Sequence, residues 1–127
     1  MFNQEDANMA LFGKKNTKET ASGKSGNSFL KISTSKEGAE YTFKLEGRLD
    51  TITSPDLEAR INEVVGDAKK LILDLADLGY ISSAGLRVLL GAAQEMEGKG
   101  DMVVRNLTPA VRDVFKLTGF IKLFVIE

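Results

Sequence analysis

The sequence predicts an α/β fold, and three patterns carry that expectation. Residues 29–35 and 40–46 alternate apolar and polar side chains, the period of a half-buried strand. Residues 71–75 form a short apolar run, as in a strand covered on both faces. From the second strand onward, each strand-like run is followed by apolar residues at helical spacing. The predicted order is β-β-α-β-α-β-α-β, a mixed sheet with helices packed on one face and right-handed crossovers.

Each element has a local reason. Lys36-Glu37-Gly38-Ala39 reads as a turn, so the first two strands form an antiparallel hairpin that exposes Lys31, Glu40, Lys44 and Glu46. The loop through Thr53 ends at a helix start, with Ser54 as N-cap, Pro55 in the first helical position and Asp56 complementing the helix dipole. Leu57, Ile61, Val64 and Val65 form that helix's apolar stripe, and Gly66 is its stop. After the strand at 71–75, Asp77-Leu78-Gly79 reads as a turn. Ser82-Ser83-Ala84-Gly85 then leads into Leu86, Leu89, Leu90 and Ala93, spaced i, i+3, i+4 and i+7. Residues 102–104 are a short strand. Thr108 and Pro109 start a last helix with Val111, Val114, Phe115 and Thr118 at helical spacing; Gly119 ends it, and residues 121–126 close as a strand.

Composition narrows the function. The length of 127 residues suggests one domain, and 43% hydrophobic content supports an ordinary core. A net charge of -1 gives no electrostatic case for nucleic acid. With no cysteine there is neither a disulfide framework nor a thiolate metal site. With no histidine, the usual zinc sites, Ser-His-Asp triads and imidazole acid–base chemistry are excluded. No Gly-x-Ser-x-Gly elbow is present, so a serine hydrolase is not expected. Gly23-Lys24-Ser25 matches the end of a phosphate-binding P-loop, but Lys18 stands where that motif needs glycine. No apolar run reaches the roughly 20 residues that span a bilayer, and the N-terminus carries acidic residues where a signal peptide is basic. A cytoplasmic protein is expected, without direct membrane insertion. Residues 1–27 are poor in apolar side chains and read as a flexible tail, apart from Phe2, Met9, Leu11 and Phe12, which would suit a short docking helix.

The stretch from residue 71 to 94 concentrates the chemistry. Two serines, Ser82 and Ser83, sit where a helix begins after a central strand. Unpaired N–H groups there favour an acceptor or an anion. The residues alone support either serine as a plain N-cap, worth about 1 kcal/mol, or a hydroxyl placed for modification.

The residues Asp74-Leu75 and Tyr80-Ile81-Ser82-Ser83-Ala84-Gly85-Leu86 resemble the motif of the STAS domain, and more narrowly that of bacterial anti-sigma factor antagonists. Gly47-Arg48-Leu49-Asp50-Thr51 and Leu117-Thr118-Gly119 resemble two further steps of the same pattern, so the likeness spans residues 29–126. It implies a single STAS-like domain over residues 28–127. By the resemblance, Ser83 is the residue phosphorylated by a partner kinase. Ser82 holds a position that is often aspartate in the family. Asp50, Thr51, Asp74, Ser82, Ala84, Gly85 and Arg87 would support the phosphosite or the partner contact, the two aspartates by positioning Ser83 or a kinase-bound magnesium ion. The implied partners are an anti-sigma factor, itself a serine kinase of ATPase-type fold, and a serine phosphatase that resets the switch. The chain would be their substrate rather than an enzyme, with no cofactor and no metal of its own. A soluble STAS subunit of a lipid-transport or other signalling assembly is the alternative.

Overall fold

A hairpin opens the fold. β1 (Leu30–Glu37) pairs antiparallel with β2 (Glu40–Leu49) around a two-residue loop, Gly38-Ala39, in which Gly38 takes φ 63°. A positive φ there suits glycine and the primed turns that match strand twist. The computed structural model describes residues 29–127. The expected tail, with Phe2, Met9, Leu11 and Phe12, lies outside the described residues.

The rest alternates. α1 (Ser54–Val64), β3 (Lys70–Ile81), α2 (Ser83–Met96), β4 (Asp101–Arg105), α3 (Pro109–Thr118), a 3-10 turn (Phe120–Lys122) and β5 (Val125–Ile126) follow in order. The sheet runs β1-β2-β3-β4-β5, parallel everywhere except the hairpin. Three successive crossovers therefore step the same way along the sheet, and right-handed connections put all three helices on one face. The packing agrees. Leu45 and Leu49 of β2, Leu71, Leu73, Leu75 and Leu78 of β3, Leu57 and Ile61 of α1, Leu86 and Leu89 of α2, and Val111 and Phe115 of α3 share one buried cluster. Burying each such side chain contributes about 1.5–3 kcal/mol, and their common cluster makes sheet and helices one cooperative unit.

β3 corrects the sequence reading. Asp77-Leu78-Gly79 is not a turn: the strand continues through it to Ile81. Between Lys44 and Glu46, and again between Gly47 and Arg48, β3 advances one residue more than β2. Each extra residue is a bulge, which resets which side chains point inward. Leu71, Leu73 and Leu75 face the core at spacing two, then Leu78 and Ile81 at spacing three, all five buried. That broken alternation, punctuated by a glycine, mimics a turn.

Two other boundaries differ. Ser54 was expected to cap α1 but is its first residue, with Thr53 in the cap position and making no side-chain cap bond. The Thr53 hydroxyl is used elsewhere, as described below. At the C-terminal end, residues 121–124 are not strand. Gly119, at φ 80°, ends α3 in the left-handed region. The 3-10 turn then lets the Phe124 ring pack on Phe115, with centroids 5.8 Å apart, and only Val125–Ile126 pairs with β4.

Candidate functional site

The β3–α2 junction is built from the backbone outward. Ser82 donates its N–H to the Leu49 carbonyl at 2.9 Å, which continues the β2–β3 ladder to the last residue before the helix. Its backbone is extended, φ -100° and ψ 175°, and its Oγ accepts from the Gly85 N–H at 3.4 Å. Ser82 is therefore the N-cap. Ser83 follows as the first helical residue and is exposed. Among the described residues nothing hydrogen-bonds its hydroxyl, and the Ser83 and Ala84 N–H groups have no partner. These donors sit at the positive end of a 14-residue helix, which favours an anion by roughly 0.3–1 kcal/mol at an exposed site.

Gly85 is held by internal packing. A Cβ there would lie 2.8 Å from Leu49 Cγ and 2.9 Å from Ile81 Cγ1. Only glycine lets the first turn of α2 lie this close to the strand ends, and that closeness sets where Ser83 emerges. Ala84 is half-buried beside it, while Arg87 is exposed, off the apolar face.

The β2–α1 loop is locked by one carboxylate and one hydroxyl. Asp50 Oδ1 accepts from the Ile52 N–H at 3.0 Å and the Thr53 N–H at 3.1 Å. Thr53 Oγ1 accepts from the Asp50 N–H at 2.9 Å and lies 2.8 Å from the Arg48 carbonyl, to which it donates. Thr53 is 1% exposed, so this hydroxyl is wholly committed to loop geometry. Thr51, between them, is exposed. Because Leu49 also receives the Ser82 bond, the Asp50 loop and the serine pair are fixed to each other through one strand end.

Asp74 stands apart. Its Oδ1 accepts from the Ala76 N–H and from Asn106 Nδ2, both at 3.1 Å, tying β3 to the loop before α3. No hydrogen bond connects it to Ser83. The structure thus brings Asp50, Thr51, Ser82, Ser83, Ala84, Gly85 and Arg87 to one end of β2, β3 and α2, while Asp74, farther back in β3, faces the loop before α3.

Sequence reasoning missed three residues at this end. The Arg48 guanidinium carbon lies 4.1 Å from the Tyr80 ring centroid, and its Nε is 3.5 Å from Asp50 Oδ2. Ile52 extends from the locked loop with half its surface exposed. Asp50 and Thr53, three apart around a loop, were a readable sign of a side-chain-closed turn. The Arg48–Tyr80 stack had no local sign, because it depends on the bulged register of β2 on β3. Among the described residues no cluster of acidic side chains could hold a metal ion, and no helix is long and apolar enough to cross a membrane.

The fold is shared with known proteins. BtrV of Bordetella bronchiseptica, a protein named as an anti-sigma factor antagonist, is 39% identical over 82 residues, covering 63% of this chain and 71% of BtrV. The crystal structure of an anti-sigma factor antagonist from Mycobacterium paratuberculosis superposes with TM-score 0.73 at 26% identity, over 80% of this chain and 87% of that one. The anti-sigma factor antagonist SpoIIAA shares the fold at 22% identity. Its unphosphorylated form matches with TM-score 0.68 over 76% of this chain and 88% of SpoIIAA, and its phosphorylated form with TM-score 0.62 over 76% and 91%. The STAS domain model matches residues 31–127, nearly every residue of the sheet and its helices, and the chain belongs to the STAS domain family.

Proposed function

We propose that this chain is an anti-sigma factor antagonist whose partner is an anti-sigma factor with serine kinase activity, and that phosphorylation of Ser83 ends the binding. The observation that carries the reading is the spare hydroxyl: Ser82 supplies the cap, and Ser83, one residue on, is exposed and uncommitted. The names of the matching relatives support the class of function, and SpoIIAA, of the same fold, exists in phosphorylated and unphosphorylated forms.

The chemistry follows from the position. The kinase transfers the γ-phosphoryl group of ATP to Ser83 Oγ, the hydroxyl proton departs, and ADP leaves. Water and a phosphatase reverse the modification by releasing inorganic phosphate. The phosphate adds about -1.5 to -2 charges at a helix N-terminus, where the open N–H groups tolerate an anion, so the fold survives. The partner surface does not tolerate it. A surface shaped for a hydroxyl, Ala84 and the exposed Thr51 meets a desolvated charge, and a loss of about 3 kcal/mol weakens binding more than a hundredfold. Asp50 acts by fixing the loop beside Ser83, and Arg87 offers a cation to the partner. Asp74 orients the neighbouring loop through Asn106.

The test is affinity purification of wild type, Ser83→Ala and Ser83→Asp from the native cells. Ser83→Ala should retain an ATPase-fold kinase, and Ser83→Asp should fold and lose it. Equal retention by both, or a transport complex in place of the kinase, contradicts the proposal.

A further inference from the structure

We infer that the Arg48–Tyr80 stack, with Ile52, is a second docking element for the same anti-sigma partner, one that receives an acidic side chain set in an apolar surface. This rests on the function proposed above and concerns which partner is chosen rather than when it is released.

Tyr80 is 40% exposed and Ile52 51% exposed, which is unusual for large apolar side chains at the ends of central elements. Both belong to the segments that hold the candidate phosphosite. Tyr80 lies three residues before Ser83, so their Cα atoms are at most about 11 Å apart. A standard interface covers about 800 Å² of each partner, a disc of roughly 16 Å radius. A partner centred on Ser83 with such a footprint reaches this stack.

The stack is also pre-organised. Arg48 is 44% exposed at its side chain, yet its guanidinium lies over the Tyr80 ring and Asp50 engages its Nε. Among the described residues its two terminal nitrogens make no hydrogen bond. They present the forked face of the guanidinium, which matches a carboxylate in two parallel bonds. Ordering was completed within the fold, so little rotamer freedom remains to be lost on association. Tyrosine and arginine dominate interface hot spots for this reason. The Asp50 carboxylate thus serves both elements: Oδ1 closes the loop beside Ser83 and Oδ2 holds Arg48.

The experiment titrates the full-length chain with the anti-sigma kinase that copurifies with it, and follows phosphorylation of Ser83 in the same samples. Tyr80→Ala, Ile52→Ala and Arg48→Lys should each weaken binding by about tenfold or more. They should raise KM for the chain as kinase substrate with kcat unchanged. Tyr80→Phe, which keeps the stack, should bind as wild type, and so should Leu123→Ala at the far end of the sheet. Melting curves matched to wild type verify folding. Should Tyr80→Ala and Ile52→Ala bind within twofold of wild type while Ser83→Asp still loses the partner, this inference is wrong and the phosphoserine switch stands. Should wild type bind no anti-sigma kinase, both fall together.

Discussion

The N-termini of α2 and α3 use similar parts to different ends. α3 begins with Thr108, whose Oγ1 accepts from the Val111 N–H at 3.4 Å and donates to the Leu78 carbonyl at 2.8 Å. Pro109 follows and has no N–H to leave open. α2 begins with Ser82, which makes the same cap to Gly85, but Ser83 and Ala84 follow where α3 has its proline. α1 resembles α3 in this respect, with Pro55 in its first turn and a neighbouring threonine whose hydroxyl is buried and engaged. Among the described helices, α2 alone follows its cap with an exposed hydroxyl; the second hydroxyl of α1, on Ser54, is buried. At its start α1 leaves no N–H open among the described residues, α3 leaves only that of Ala110, and α2 leaves those of Ser83 and Ala84; the most open start carries the family's motif. An exposed donor set costs the fold little in water.

Five substitutions, two of them with a control, test that contrast. The largest effect belongs to Ser83→Asp, with binding to the anti-sigma kinase down more than a hundredfold, about 3 kcal/mol by titration calorimetry. Ala110→Asp, the same charge in the first turn of α3, should bind within twofold of wild type. Next is Gly85→Val. Its Cβ falls within 3.0 Å of Leu49 and Ile81 atoms, so overpacking should cost about 1–3 kcal/mol in denaturant unfolding. Gly91→Ala, with nothing within 4 Å of the new methyl, should stabilise α2 by up to about 1 kcal/mol. Thr108→Val removes both bonds of a committed hydroxyl and should destabilise by about 1–3 kcal/mol. Ser82→Ala deletes a cap alone, and about 1 kcal/mol is expected. Smallest is Ser83→Ala, within about 0.5 kcal/mol of wild type because the hydroxyl holds nothing. A Ser83→Ala loss as large as that of Ser82→Ala would make Ser83 a structural residue.

Much of this architecture was legible because the cues are local. Gly38, Thr108, Pro109 and Gly119 each punctuate the chain within a turn of where they act, and the apolar spacing of α1 and α3 survives intact in the fold. The second half of β3 was not legible. Bulges turn the period from two to three between Leu75, Leu78 and Ile81, and a bulge is a property of two strands rather than one. β5 failed for a similar reason: two residues carry too little pattern, and its partner lies twenty-two residues away at Val103. At the site, the serine pair and the Asp50 loop were readable as a family motif. The division of labour between Ser82 and Ser83 was not, because both residues suit a cap and only the extended backbone at Ser82 decides it. Asp74 is expected to help position Ser83 or a kinase-bound magnesium ion; its carboxylate is hydrogen-bonded to Asn106, a contact across 32 residues that no spacing announces.

The central claim is that the spare hydroxyl at the start of α2 is the switch. Its most direct test is phosphate mapping by mass spectrometry on the protein isolated from its own cells while the partner kinase is active. A single phosphate on Ser83, retained in Ser82→Ala and absent from Ser83→Ala, is the predicted result. Phosphate on Ser82 or on another residue, or none at all, would contradict it.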